Sequence, residues 1–138
     1  MKTVAIDFDG VIHRYSKGWQ DGSIYDEPNE GAFEYISSLM KDGYSVFIHS
    51  SRSPRQIKRW LMPYIMVSEY ETLGMGNNPT LWKFTRYGFT ATLVPFWQKF
   101  WNKRGVLGIT RRKLPAVVYI DDRALRFTDF PNLPKDHE

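Results

Sequence analysis

The sequence predicts an α/β fold in which helices pack against a mainly parallel central sheet. Three short apolar runs, at residues 3–8, 44–49 and 116–120, are rich in β-branched and aromatic residues, which is typical of strands buried on both faces. Segments with the apolar spacing of helices lie between these runs, and such alternation predicts βαβ units. Each run is also followed by polar residues of the kinds that bind phosphate or metal.

The first half of the chain predicts strand, loop, helix and strand. After "TVAIDF", residues 11–28 mix Gly, Ser, Asp and aromatic residues without a period, which predicts an extended loop or a small hairpin. "NEGAFEYISSLMKDG" predicts a helix with Asn29 as N-cap and an end at Gly43. Its expected core face is Phe33, Ile36, Leu39 and Met40. "YSVFIHS" then predicts the second buried strand.

The second half is less regular. "SPRQIKRWLMPY" predicts a helix with Ser53 as cap and Pro54 in its first turn. "IMVSEY" is compatible with a strand, residues 71–79 with a loop, and residues 80–94 show no clear period. "PFWQKFWNKRG" predicts a helix ended by Gly105, with Trp97, Phe100 and Trp101 in the core. "VLGIT" and "AVVYI" predict strands, and the last segment starts as a helix and ends in a polar tail.

Length and composition predict a single folded domain without cysteine chemistry. The chain has 138 residues, of which 42% are hydrophobic and 25% charged, as in globular proteins. The absence of cysteine excludes disulfides, thiolate metal sites and a cysteine nucleophile. A net charge of +4 is compatible with a phosphate-rich partner and equally with an ordinary solvated surface. No signal peptide or membrane span is evident, so we expect a cytoplasmic protein with no membrane partner.

The carboxyl ends of the three apolar runs predict one site. The polar residues at these ends are Asp7 and Asp9, Ser50 and Ser51, and Asp121 and Asp122. Residues two apart in an extended chain point the same way, so Asp7 and Asp9 can face one pocket. Ligands of open parallel sheets lie outside the carboxyl ends of the strands. One such ending is also an ordinary turn signal, but three in a short chain predict a binding site.

The acidic residues at these ends favour a metal-assisted reaction at phosphorus. Clustered carboxylates repel one another, so the site requires a cation, and Mg²⁺ prefers hard oxygen ligands of this kind. One aspartate can attack phosphorus while its neighbour exchanges a proton with the leaving and attacking oxygens. Gly10 allows the chain to turn away without a side chain crowding the pocket.

Four short motifs resemble those of the haloacid dehalogenase (HAD) superfamily of phosphotransferases. They are "DFDGV" at residues 7–11, the serine-ended strand, a later lysine and "IDDR" at residues 120–123. The resemblance extends from Asp7 to Arg123. It implies a three-layer Rossmann-like sandwich and a single HAD-like catalytic domain over residues 1–138.

The resemblance also implies a role for each matching residue. Asp7 is the nucleophile that forms an aspartyl phosphate, and Asp9 is the general acid and base. Ser50 holds a phosphoryl oxygen, with Ser51 as the alternative. Magnesium ligands are drawn from Asp7, Asp9 (through its carbonyl), Asp121 and Asp122, directly or through water.

The motif-three lysine is expected to be Lys113. "RRKLPAVVYIDD" resembles the family arrangement of lysine, proline and last catalytic strand. A cation there would neutralise phosphoryl oxygens and reduce carboxylate repulsion. The alternatives are Lys58, Lys83, Lys99 and Lys103, and Lys113 can also be a solvated member of the basic run 111–113.

"HSSR" and "DDR" resemble the polynucleotide 3'-phosphatase branch of the superfamily. That resemblance implies that Arg52 and Arg123 contact the substrate phosphate, although each can equally pair with a local carboxylate. The insertion at residues 11–28 is hairpin-sized, so we expect no full cap domain and an open site. Its aromatic residues, Tyr15, Trp19 and Tyr25, either stack on a base or fasten the loop to the body of the domain.

These observations predict a Mg²⁺-dependent phosphomonoester hydrolase that works through an aspartyl-phosphate intermediate. Nucleic-acid 3'-phosphate ends or nucleotides are the leading substrate class, and no obligate protein partner is expected. One alternative is a nucleotidase-like small-molecule phosphatase closed by a partner subunit. Another is a catalytically silent module that binds phosphate or nucleic acid. The chain has no GxxxxGK[ST] motif, so kinase activity is not expected.

Overall fold

The computed structural model describes residues 2–68 and 86–121, with the side chains of residues 66–68 excepted. The strands in these ranges are β1 (Thr3–Asp7), β2 (Ser45–His49), β3 (Met66–Ser68), β4 (Thr90–Leu93), β5 (Val106–Thr110) and β6 (Val118–Ile120). The helices are α1 (Ala32–Lys41) and α2 (Pro54–Leu61). The predictions for residues 69–85 and for residues 122–138, including Asp122 and Arg123, lie outside the described residues.

The six strands form one sheet in the order β3-β4-β5-β2-β1-β6, and every neighbouring pair is parallel. The predicted α/β class with a parallel sheet is therefore confirmed. β1 lies between β2 and β6, with Ala5 opposite both Phe47 and Tyr119. Strand β1 and the inner strands are apolar because both of their faces are covered.

The two helices cover one face of the sheet. α1 contributes Phe33, Ile36 and Leu39 to this core, as its spacing predicts, and α2 contributes Ile57 and Leu61. The sheet side of the same core includes Ile6, Ile48 and Ile109, all fully buried. Burial of each such side chain stabilises the fold by about 1.5–3 kcal/mol.

The opposite face is covered by two segments without regular secondary structure. Residues 94–105 connect β4 to β5, and residues 111–117 connect β5 to β6. Trp101 and Leu114 from these segments pack on Ala5 and Phe47 of the sheet. The third layer of the predicted sandwich is thus present in the described residues, but it is not helical.

The predicted helix at residues 95–105 is wrong. Its carbonyl groups are used elsewhere, because the Arg112 guanidinium donates to the oxygens of Pro95, at 2.7 Å, and of Gln98. A helix would need those two oxygens for its own i to i+4 hydrogen bonds. The expectation of a core position holds for Trp101 but fails for Trp97 and Phe100, which are exposed.

The start of α1 also differs from the prediction. The N-cap is Gly31, with φ 82°, and Asn29 lies two residues earlier. The buried Asn29 amide instead donates to the carbonyl of Val11 at 2.7 Å. The Asn29 side chain therefore binds the start of the insertion. It does not cap α1, whose N-cap is Gly31. Ser53 is the N-cap of α2 with Pro54 in the first turn, as predicted, although its hydroxyl makes no capping hydrogen bond.

The insertion at residues 11–28 is a loop whose ends are joined by an antiparallel bridge between His13 and Pro28. The Arg14 amide donates to the Glu27 carbonyl at 2.9 Å beside this bridge. No strand forms between these ends in the described chain. Over the described ranges, no helix has the length and apolar character that a membrane crossing requires.

Gly108 in β5 provides a stability test of the second core. A Cβ atom at this position would lie 2.8 Å from Val94 Cγ2 and 2.9 Å from Trp101 Cε2. We expect Gly108→Ala to lower the free energy of unfolding by about 1–3 kcal/mol through overpacking. Thermal denaturation measures the change, and the loss should be smaller in a Trp101→Phe background. An unchanged melting temperature would show that Trp101 does not pack on β5 as described.

Candidate active site

A cavity of about 440 Å³ lies at the carboxyl edge of the sheet. Five predicted site residues line it together: Asp7, Ser50, Ser51, Lys113 and Asp121. The remaining side chains that matter here are His49, Arg111 and Tyr119. The cavity therefore combines carboxylates, hydroxyls and cations drawn from the ends of four strands.

Strand register explains why these residues meet. Asp7 is paired with His49, and His49 is paired with Thr110, so β1, β2 and β5 end at the same level. Ser50 is the first residue after β2, and its amide donates to the Thr110 carbonyl at 3.2 Å. Parallel strands that end in register place their following residues around one opening.

Asp7 and Ser50 have fixed orientations beside the cavity. The carboxylate Oδ1 of Asp7 accepts the amide N–H of Phe8 at 2.8 Å. The hydroxyl of the buried Ser50 accepts the amide N–H of Arg52 at 3.2 Å. Because this hydroxyl acts as an acceptor for the backbone, its own proton is available for an anionic ligand in the cavity.

Lys113 is the described lysine that reaches the cavity. Its Nζ atom lies 4.9 Å from the centre of the Tyr119 ring, and the Tyr119 hydroxyl donates to the Leu114 carbonyl at 2.5 Å. The ring therefore supports the ammonium group at the rim. Lys58, Lys99 and Lys103 do not line the cavity, and Lys83 lies outside the described residues.

Two cavity residues, Arg111 and His49, were not predicted as site residues. Arg111 is the first residue after β5, and it could have been found by the rule that selected Ser50 after β2. Burial, and then the nearby charge of Lys113, lower the pKa of His49. His49 is thus neutral at neutral pH, and the cavity cations are Arg111 and Lys113.

Asp9 does not line the cavity. Its carboxylate accepts hydrogen bonds from Arg52 Nε, at 2.8 and 3.0 Å, and is 2.8 Å from His13 Nδ1. β1 ends at Asp7, and the chain then turns so that the amides of Val11 and Ile12 donate to the Phe8 carbonyl. The two-residue alternation that predicts a shared direction for Asp7 and Asp9 ends where the strand ends.

His13 has a defined tautomer. Its Nε2 atom accepts the backbone N–H of Asp26 at 3.0 Å, so the ring proton is on Nδ1 and is donated to Asp9. The ring is fully buried and contacts the rings of Phe8, Tyr25 and Trp60. No role was predicted for His13. The one feature of the sequence that relates it to the site is its position four residues after Asp9.

Arg52 connects Asp9 to the insertion. It is buried, and its Nη1 donates to the Gly22 carbonyl at 2.7 Å. The guanidinium also lies 5.9 Å from the ring centres of Tyr15 and Trp19. Arg52 thus pairs with a carboxylate in the described structure, but its partner Asp9 is 43 positions away in the sequence. Gly10, with φ 84°, occupies the turn beside Asp9 and donates to the His13 carbonyl at 2.8 Å.

The aromatic residues of the insertion differ in their environments. The Tyr25 hydroxyl donates to the Gly18 carbonyl at 2.7 Å and accepts the Lys17 amide at 2.9 Å, so Tyr25 fastens the loop. Tyr15 packs on the rings of His13 and Tyr25. Trp19 is exposed apart from its contact with Arg52.

Asp26 should make the loop sensitive to acid. Hydrogen bonds from the Ser16 hydroxyl and amide, and from the Glu27 amide, lower the pKa of Asp26 from 3.8 to about 2. A depressed pKa stabilises the fold above pH 3.8, and this contribution is lost as pH falls through about 2. We expect Asp26→Asn to lower the melting temperature at pH 7 and to differ less from the wild type near pH 2. A difference that is constant across this range would contradict the assignment.

Two carboxylates that line the cavity are of the kind that Mg²⁺ takes as ligands. The described ranges contain no group of three or more His, Cys, Asp or Glu side chains that could hold a metal by themselves. Asp7 and Asp121 nevertheless line one cavity. Mg²⁺ commonly uses one or two carboxylates and completes its coordination with water and substrate phosphate.

Comparisons with protein-family models, curated proteins and solved structures find no match to this chain.

Proposed function

We propose that the chain is a Mg²⁺-dependent phosphomonoester hydrolase of the HAD superfamily that forms an aspartyl phosphate on Asp7. The observation that supports this best is the shared cavity of Asp7, Ser50, Lys113 and Arg111. It offers a carboxylate nucleophile, a hydroxyl donor and two cations within one space. Phosphoryl transfer depends on this kind of positioning and charge stabilisation.

The reaction proceeds in two balanced steps. An Asp7 oxygen forms a bond to phosphorus while the phosphorus–oxygen bond to the leaving alcohol breaks, and that alcohol receives the proton that Asp9 took from water in the preceding turnover. Asp9 then takes a proton from water, whose oxygen attacks the phosphorus, and Asp7 leaves as a carboxylate. Ser50, Lys113 and Arg111 stabilise the phosphoryl oxygens in both steps.

Magnesium would be held by Asp7 and Asp121 of the described residues, with the Asp9 carbonyl and Asp122 added by the family resemblance. The bound ion supplies charge neutralisation for the phosphoryl oxygens. The cations that line the cavity, Lys113 and Arg111, would supply the rest. Repulsion between the two carboxylates is reduced when the ion is present.

Asp9 is assigned the proton-transfer role, and Arg52 and His13 position it. Its two oxygens accept three hydrogen bonds, of which Oδ2 accepts one. A carboxylate has about four lone-pair sites, so Oδ2 keeps an acceptor position for substrate or water.

Nucleic-acid 3'-phosphate ends or nucleotides are the proposed substrate class. The insertion at residues 11–28 is a short loop that Arg52 fastens to the body, and Tyr25 cross-links the loop internally. The exposed Arg111 and Lys113 reach the cavity from the surface, which suits a large phosphorylated end. A silent phosphate-binding module is the second candidate, because Asp9 is engaged by Arg52 and His13.

Phosphate release distinguishes these proposals. The purified chain is incubated with a 3'-phosphorylated oligonucleotide, a 5'-phosphorylated oligonucleotide or mononucleotides, with and without Mg²⁺. We expect Mg²⁺-dependent release, fastest from the 3'-phosphorylated oligonucleotide. Release from mononucleotides alone would favour the small-molecule alternative, and phosphate binding without any release would favour the silent module.

A further inference from the structure

An exposed turn of aromatic residues lies on the face of the sheet opposite the helices. The turn comprises residues 95–98 and is closed by a hydrogen bond from the Gln98 amide to the Pro95 carbonyl at 3.0 Å. At its tip, Phe96 and Trp97 are 89% and 67% exposed. Phe100, just beyond the turn, is 53% exposed. Neighbouring large apolar side chains with this exposure mark an interaction site more often than isolated ones do.

The aromatic turn is held in place. Arg112 donates from both terminal nitrogens, to the Pro95 carbonyl at 2.7 Å and to the Gln98 carbonyl. The rings of Phe96 and Trp97 are therefore exposed to solvent on a backbone that Arg112 holds in place. A rigid aromatic surface binds a flat ligand at a lower entropy cost than a mobile one.

The turn lies at the same edge of the sheet as the cavity. Arg112, which holds the turn, lies between Arg111 and Lys113, which both line the cavity. The turn follows β4 and the basic run follows β5, and these adjacent strands are parallel. The Val94 amide donates to the Ile109 carbonyl at 2.9 Å, so the two strand ends stay together. The aromatic rings and the cavity cations thus share one edge of the sheet.

The segment that contains the turn and the basic run is strongly biased in charge. Residues 72–120 contain eight Lys and Arg and no Asp or Glu, whereas the rest of the chain has 11 basic and 15 acidic residues. The basic residues of this stretch that the structure describes are Arg86, Lys99, Lys103, Arg104, Arg111, Arg112 and Lys113. Of these residues, Arg111, Arg112 and Lys113 follow β5 and lie at the carboxyl edge of the sheet, where a polyanionic partner is expected.

We propose that the aromatic turn and the basic residues beside it bind a single-stranded nucleic acid whose end enters the cavity. Bases stack on Trp97 and Phe96, while Lys99, Arg111 and Lys113 contact backbone phosphates. Exposed rings interleaved with cations are the combination that binds single strands without sequence preference. This inference deepens the proposed function, because it makes a nucleic-acid end the substrate class of the same cavity.

The test is binding of a fluorescent oligothymidylate of roughly eight nucleotides, a length within the range of single-strand sites. The probe ends in a 3'-hydroxyl, so no turnover is required. We expect Trp97→Ala to weaken binding about tenfold or more, as for loss of a stacked base. Trp19→Ala tests the competing base-stacking residue of the insertion, which is 68% exposed, and on this proposal it should leave the Kd unchanged. Both variants should keep the wild-type melting temperature.

Salt dependence provides a second readout. Binding of the probe should weaken steeply with salt, and Lys99→Gln should reduce the slope of log K against log salt by about 0.7. Stacking loss in Trp97→Ala should instead leave this slope nearly unchanged.

Four results would overturn the proposal. They are wild-type affinity in Trp97→Ala, a loss confined to Trp19→Ala, binding of anionic vesicles in place of the oligonucleotide, and a dimer that Trp97→Ala dissociates. Failure of the proposed function is separable from these results. If the chain releases no phosphate but binds the probe through Trp97, the hydrolase proposal fails while the binding surface stands.

Discussion

Asp7→Asn is expected to abolish phosphate release while the chain stays folded. The amide has nearly the shape of the carboxylate, and its oxygen can still accept the Phe8 amide. It is a poor nucleophile, so turnover should fall by about 10³-fold or more. Asp7 and Asp121 both line the cavity. The melting temperature should be unchanged or higher, because the variant removes the repulsion between these two carboxylates.

The matched control is Glu30→Gln, which makes the same charge change at an exposed position before α1. Phosphate release by both variants is measured with the best substrate at saturating Mg²⁺. Wild-type turnover in Asp7→Asn, from a preparation free of other phosphatases, would remove Asp7 from the nucleophile role.

Arg52→Ala should destabilise the chain and lower its turnover together. It leaves the Asp9 carboxylate with His13 as its described partner and removes the hydrogen bond to the Gly22 carbonyl. Loss of one member of a buried ion pair lowers the free energy of unfolding by about 3–5 kcal/mol. Because Asp9 is partly exposed, we expect the lower end of this range, about 3 kcal/mol. Turnover should fall because Arg52 no longer fixes the position of the Asp9 carboxylate, which transfers the proton in the proposed mechanism.

Arg59→Ala in α2, the helix that begins two residues after Arg52, is the control for Arg52→Ala. Arg59 is exposed, and its loss should change the free energy of unfolding by no more than about 0.5 kcal/mol. Arg52→Lys keeps the charge but loses the planar fork, so it should recover stability in part and lower kcat more than it raises KM. A stable, fully active Arg52→Ala variant would show that the ion pair neither supports the insertion nor positions Asp9.

Strands β1, β2, β5 and β6 and the main cavity residues were predictable because their signals are local, whereas β4 lies in residues 80–94, which show no clear period. An apolar run followed by a polar residue specifies both a buried strand and the place where it ends, as for Asp7 and Ser50. Parallel register then assembles these ends without further information, as the pairing of Asp7 with His49 shows. Lys113, which was chosen from its position before the last strand, lines the cavity.

The surroundings of Asp9 could not be predicted because they depend on distant partners. Arg52 is 43 positions away from Asp9, and only the packed insertion brings the two together. The segment at residues 95–105 failed for a similar reason. Its aromatic spacing suits a helix, but Arg112, 14 positions after Gln98, takes the carbonyl oxygens that the helix would need.

The most direct test is to identify the residue that is phosphorylated during turnover. The wild-type chain, with Mg²⁺ and substrate in excess, is quenched in acid and digested, and the peptides are analysed by mass spectrometry. We expect a peptide that carries one phosphoryl group on Asp7, and no such peptide from Asp7→Asn. Turnover without a phosphorylated peptide, or phosphate on another residue, would contradict the aspartyl-phosphate mechanism.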